Sequence, residues 1–384
     1  MNRRAYLTVA LAIWAISFLV VGIMVAARPL SRSVTPLYHE ASANWWAAEE
    51  LYGGPGGMNY LPQFAVLFSP FKMLPSPVGD LLWRAVATGL LAYGTWRVAR
   101  SHFGDKADSA FMWGSILVLP ICLGAIRNGQ ANAMFGGLTL CAAACLSRQQ
   151  WWRSAACMGL ALMVKPLGIV LMLLVPAAYP VMLCPILVSL AGSLAFPFLF
   201  AAPPYVLAQY HSFFENLRHC AAVTENRFAD ISGVIRAVGG ELPEKASKLL
   251  RAGAGVMFLG LCFFGGRRVR EPMRFLWLYA LATGYLMLFN PMNEYNSYVI
   301  FAPALGLWAI WFLKDTRTRH LGWIATGVTI SMGILPTLLR PLYGNSVGIV
   351  WCPLITVVFL GMLVAWIFRQ SASNRELAFT KNLP

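Results

Sequence analysis

The sequence predicts an all-α fold: a polytopic bundle of transmembrane helices forming one integral-membrane unit over residues 1–384. Three observations predict the bundle. Hydrophobic residues make up 58% of the chain and charged residues 12%, about half the ~25% charged share of a soluble domain. That leaves too little polar surface to cover so large a core. The apolar residues run in blocks near the ~20 residues that cross a bilayer as a helix. The net charge of +15 sits in short basic clusters between those blocks, as the positive-inside rule distributes charge in cytoplasmic loops.

These features exclude other classes. The basic charge needs no nucleic acid, and no nucleic-acid module is present. The eight cysteines lie mostly in apolar blocks, as do Cys141, Cys145, Cys157, Cys184 and Cys262. Without C-x-x-C or zinc spacing they read as small packing residues, so no metal is expected.

Taken in order, the blocks give about twelve spans of roughly 14–22 residues, at 7–27, 79–98, 109–126, 131–147, 152–165, 166–179, 180–200, 249–265, 271–290, 296–313, 319–338 and 347–368. The first follows Arg3 and Arg4 and is longer than the ~7–15 residues of a signal-peptide core, so it reads as a retained anchor. Those arginines place the N-terminus in the cytoplasm. Alternation then puts Arg97/Arg100/Lys106, Arg148/Arg153, Arg267/Arg268/Arg270, Lys314/Arg317/Arg319 and Arg369/Arg375/Lys381 on the same side, with the C-terminus. Within 152–200, two long spans would bury Lys165 near mid-membrane at high cost. Three short ones are preferred, with Lys165-Pro166 as a break where proline removes a backbone donor.

Two segments do not cross. Residues 28–78 form an extracytoplasmic loop with an interfacial helix from His39 to Leu51, a turn at Gly53-Gly54-Pro55-Gly56-Gly57, and an apolar stretch, Leu61 to Leu74, interrupted by Pro62 and Pro70. That stretch is expected to rest at the interface or re-enter. Residues 201–248 form a second such loop, with a mixed helix from Pro204 to His219.

This topology gathers the unusual polar residues on the outer face: His39, Glu40, Arg127, Asn128, Gly129, Gln130, Asn132, Lys165, His211, Arg218, Asn290, Asn293, Glu294, Asn296 and Arg340. Ionisable groups at membrane depth or its edge mark functional sites. A carboxylate among cations suits a hydroxyl-activating base beside a phosphate site. Trp45, Trp46, Trp151 and Trp152 read as interfacial belt residues.

Several stretches resemble glycosyltransferase family 87, a group of GT-C integral-membrane enzymes that includes polyprenyl-phosphate-mannose-dependent mannosyltransferases. Tyr38-His39-Glu40-Ala41 running to Leu51-Tyr52 is similar to the family's first-loop helix. Asn59-Tyr60-Leu61-Pro62 is similar to its Y-x-P segment, and Gly129-Gln130-Ala131-Asn132 to its GQ-x-N turn. Met158-Gly159-Leu160-Ala161 with Val164-Lys165-Pro166 is similar to its glycine–lysine–proline helix. Phe289-Asn290-Pro291 with Tyr298 is similar to its later outer segment.

The resemblance implies a hexosyltransferase, with mannose the expected sugar, that moves it from a polyprenyl-phosphate donor to a lipid or glycan acceptor on the extracytoplasmic face. It implies inversion at the anomeric carbon, no cofactor and no metal. Where the family carries an acid, this chain has Val34 and Thr35, so Glu40 is the expected base with His39 beside it, and Glu294 is the alternative base. Asn296 stands near the family's later histidine. Arg127, Gln130, Asn132 and Lys165 are the expected donor-phosphate residues, with Tyr60, Glu294, Asn296 and His211 contacting sugar or acceptor. Expected partners are the two substrates and membrane lipids, at a bacterial plasma membrane. The competing classes are a transporter or flippase, to which a broken helix is suited, and a non-catalytic envelope scaffold.

Overall fold

A computed structural model describes residues 2–29, 31–53, 58–222 and 228–380, the backbone alone at 219–222 and 370–380. In chain order the helices are α1 (Arg3–Ala27), α2 (Thr35–Ala47), α3 (Gln63–Lys72), α4 (Ser76–Phe103), α5 (Ala107–Asn128), α6 (Asn132–Leu146), α7 (Trp151–Val164), α8 (Gly168–Ala178) and α9 (Leu183–Ala195). There follow α10 (Pro203–Ala222), α11 (Ile231–Ala237), α12 (Glu244–Arg268), α13 (Met273–Phe289), α14 (Ala302–Lys314), α15 (Arg319–Leu338), α16 (Arg340–Tyr343) and α17 (Ser346–Thr380). No strand occurs among the described residues.

Each apolar block of the sequence falls on a helix: α1, α4 to α9, α12 to α15, and α17. Length and apolar composition mark six stretches able to cross a bilayer: Arg3–Ala27, Ser76–Asn128 (which holds α4 and α5), Pro180–Leu199, Glu244–Arg268, Arg319–Leu338 and Ser346–Arg369. Helices α6, α8, α13 and α14 are apolar but shorter.

The break at Lys165 is present. Lys165 is extended (φ −152°, ψ 133°), and α8 resumes at Gly168. A Cβ at Gly168 would lie 2.7 Å from the Leu162 backbone, so glycine lets the chain fold back there. Residues 152–200 thus hold three helices, not two. Close packing of α4 on α6 also rests on small residues, as is usual between membrane helices. A Cβ on Gly94 would sit 2.7 Å from the Gly137 carbonyl, and one on Gly137 2.6 Å from the Leu90 backbone.

The two long connections differ in detail from expectation. Helix α2 runs over Thr35–Ala47 rather than His39 to Leu51, because Pro36 is pre-set for a first helical turn and Ala48 turns left-handed (φ 57°). It buries Thr35, Tyr38, Ala41, Ser42 and Trp45, the spacing of one helical face. Of the glycine-rich turn, residues 54–57 lie outside the described residues, as does Lys381 of the last basic cluster. Pro62 starts α3 instead of interrupting it. Phe64 and Phe68 of α3 are fully buried, edge-on to Tyr38 and Trp83, so α3 packs inside the protein. The mixed helix is α10. Helix α11, capped by the Asp230 side chain on the Gly233 amide, was not foreseen.

The bundle has two chemically distinct ends. At one, Arg3 pairs with Asp108 at 2.9 Å, and the Lys314 ammonium lies 4.2 Å over the Phe103 ring. The turns at the other end carry the residues described next.

Candidate active site

Three turns meet at the end away from Arg3 and Lys314: residues 128–132 between α5 and α6, the Lys165 break, and residues 290–297 after α13. Helix α5 stops because Gly129 is left-handed (φ 67°) and its amide returns to Ala125 and Ile126. A Cβ there would stand 2.9 Å from the Arg84 guanidinium and from Thr35, so that position needs glycine. The turn then presents Gln130 and starts α6 at Asn132.

One continuous hydrogen-bond chain joins the three turns. The Lys165 ammonium donates to Asn132 Oδ1. Asn132 Nδ2 donates to Gln130 Oε1 at 2.8 Å and to Ser297 Oγ at 3.3 Å. Gln130 Nε2 donates to Glu294 Oε2 at 2.9 Å. Each amide accepts on its lysine side and donates on its glutamate side, so the two dipoles align between a cation and a carboxylate and polarise one another. Asn132 is buried; Lys165, Gln130 and Glu294 are half-buried. The chain therefore reaches solvent at its charged ends.

Tyr60 stands beside this chain. Its hydroxyl pairs with that of Tyr38 at 2.9 Å, and Tyr38 also accepts from the Ala131 amide. Burial pushes the Tyr60 phenol up to about 12; the Tyr38 hydrogen bond opposes this and the Glu294 charge adds to it. Tyr60 therefore keeps its proton in the neutral range.

Two residues that hold this end together were missed in the sequence. Arg84, 1% exposed, donates to Ser33 Oγ at 2.8 Å, to the Asp80 carbonyl at 3.0 Å and to the Arg127 carbonyl at 3.2 Å. It ties the start of α2 to the 127–129 turn, helped by Trp83, which donates to the Gly129 carbonyl. Asp80, also buried, pairs with His39 Nε2 at 2.8 Å. The available signal was two opposite charges four residues apart near the start of an apolar helix.

The expected site residues thus separate. Gln130, Asn132, Lys165 and Glu294 form one chain, with Tyr60 adjacent. His39 is engaged by Asp80. Glu40 is exposed on α2 and has no hydrogen-bond partner among the described residues. Among the described residues, Arg127 contributes its backbone carbonyl, which accepts from Arg84. The Asn296 amide oxygen packs against Gly124, where a Cβ would lie 2.4 Å away. His211 is exposed on α10, 3.9 Å from Glu215. Asn293 is buried and bonds the Ala229 and Met287 carbonyls. Arg218 and Arg340 are exposed. Among the described residues no group of three His, Cys, Asp or Glu side chains has metal-binding geometry.

A family model described as glycosyltransferase family 87 matches residues 59–291, more than half of the chain. Among solved structures, the crystal structure of ArnT from Cupriavidus metallidurans bound to undecaprenyl phosphate is similar, with a TM-score of 0.45 and 16% identity over 91% of this chain and 77% of that one. No curated protein matches the sequence.

Proposed function

The chain belongs to glycosyltransferase family 87, a multi-pass membrane glycosyltransferase as its motifs implied, and on that premise we propose that the chain from Lys165 to Glu294 is its transfer site. The donor is a polyprenyl-phosphate hexose, with mannose the first sugar to try, and the acceptor a hydroxyl on a lipid or glycan. The reaction face is extracytoplasmic: the positive-inside rule assigns the opposite, lysine- and arginine-rich end to the cytoplasm of a bacterial plasma membrane.

The observation that carries this reading is a cation and a carboxylate held in one polarised hydrogen-bond chain. The acceptor oxygen attacks the anomeric carbon as the bond from that carbon to the phosphate oxygen breaks. The departing phosphate goes from a singly charged diester to a monoester that carries more negative charge. Lys165 meets that growing charge, and Gln130 and Asn132 hold it in place. Stabilising charge where it develops is worth about 10²–10³-fold in rate.

The acceptor proton goes to Glu294. Its Oε2 is fixed by Gln130, which leaves Oε1 for the hydroxyl. General-base assistance contributes about 10²–10⁴-fold. Glu40, exposed on α2 with His39 beside it, is the second candidate base. Inversion follows from this single displacement, and neither metal nor cofactor takes part.

The test is sugar transfer by the purified protein, given radiolabelled polyprenyl-phosphate hexoses and a membrane lipid extract. Glu294→Gln should lose about 10²–10⁴-fold in turnover, and Glu40→Gln less than tenfold. The reverse order would make Glu40 the base. Folded protein that transfers no sugar from any donor would favour the scaffold reading.

A further inference from the structure

At the end of the bundle away from Lys165, α5, α14 and α15 enclose an open groove of about 490 Å³. It takes no part in the reaction above. Its wall includes Trp113, Ile116, Leu117 and Trp323, and its charged residues are Lys106 and Lys314. Trp113, Ile116 and Trp323 are exposed, so the groove opens sideways where a bilayer would lie. Its volume falls in the ~300–1,000 Å³ range of small-molecule sites.

The two lysines stand together at one end. Lys106 directly precedes α5 and Lys314 ends α14. Neither has a carboxylate partner among the described residues. The acids beside Lys106 are taken: Asp105 and Asp108 both face Arg3, at 3.8 Å and 2.9 Å. Asp315, beside Lys314, accepts from the Arg317 amide at 2.9 Å. The Lys314 ammonium is held over the Phe103 ring. The result is an apolar slot headed by two lysines that have no ion-pair partner among the described residues.

We propose that this groove holds an anionic phospholipid of the adjacent leaflet, an acyl chain along the tryptophan–isoleucine–leucine wall and the phosphate between Lys106 and Lys314. Hydrocarbon contact alone would not choose among lipids, because every lipid of that leaflet offers the same chain. Selectivity comes from the headgroup. Each lysine near an anionic lipid surface strengthens attraction on the order of fivefold. A zwitterionic headgroup gains less, since its own cation faces the lysines.

Native mass spectrometry of the purified full-length protein, delipidated and then titrated, tests this. Phosphatidylglycerol and phosphatidylcholine with identical acyl chains are compared on the wild type, on Lys106→Gln/Lys314→Gln, and on Leu117→Trp, which fills the slot. Expected is a phosphatidylglycerol preference of more than tenfold that the double variant loses and Leu117→Trp abolishes along with binding itself. Unchanged melting midpoints exclude misfolding. Equal binding of the two lipids by the wild type would overturn the proposal, as would a preference that survives in the double variant. Displacement of phosphatidylglycerol by millimolar inorganic phosphate would overturn it as well, by showing a free-anion site.

Discussion

Gln130 donates its amide to the Glu294 carboxylate at 2.9 Å across 164 positions of sequence. That one contact joins the turn between α5 and α6 to the segment after α13. It makes the two ends of the candidate site a single unit.

Removing that donor should therefore act at a distance from the phosphate. Gln130→Met keeps the length of the side chain but frees Glu294 to swing and leaves Asn132 with Ser297 as its remaining acceptor. Loss of one hydrogen bond to a charged group is worth about 1.5–3 kcal/mol, or on the order of 10–100-fold in turnover where it positions the base. Gln130→Glu should be worse, because it sets a second carboxylate against Glu294. Steady-state kinetics on the two variants should show turnover falling more than donor affinity.

Arg84 is a structural matter. Arg84→Met removes a donor shared by the Ser33 hydroxyl and the Asp80 and Arg127 carbonyls; Ser33 keeps Thr35 as a partner, and a buried group left unpaired costs about 1–3 kcal/mol. The expected result is a clear fall in thermal midpoint in detergent. Arg84→Lys should not restore it, since an ammonium lacks the planar fork that reaches three acceptors.

The α4–α6 seam gives a prediction independent of function. Gly137→Ala drives a methyl to within 2.6 Å of the Leu90 backbone, where no side chain can rotate away. Overpacking of this kind costs about 1–3 kcal/mol. Gly89→Ala, on the same helix as Gly94 but with nothing within 4 Å, should leave the midpoint unchanged or slightly raised.

Much of this architecture was legible in the sequence because bilayer-length apolar blocks and basic clusters are local signals. The break at Lys165-Pro166 was legible for the same reason: a cation next to proline is costly in a continuous span. The turn at Asn128-Gly129-Gln130 was legible from its glycine. Partnerships were less so. Nothing local says that Asn132 meets Lys165 rather than Arg127, because the choice depends on where α7 ends relative to α6. Asp80 and Arg84 were passed over because both lie in an otherwise apolar helix, and their partners, His39 and the 127–129 turn, come from elsewhere. The end of α2 was misjudged because a left-handed alanine, Ala48, has no sequence signature.

The central claim is that Lys165 receives the phosphate that departs from the sugar. The most direct measurement is single-turnover transfer from a radiolabelled polyprenyl-phosphate hexose, following both the glycosylated acceptor and the released polyprenyl phosphate, for the wild type and Lys165→Met. The account predicts equimolar formation of the two products by the wild type and a rate about 10²–10³-fold lower in the variant, with the donor still able to bind. Transfer by Lys165→Met at the wild-type rate would contradict it.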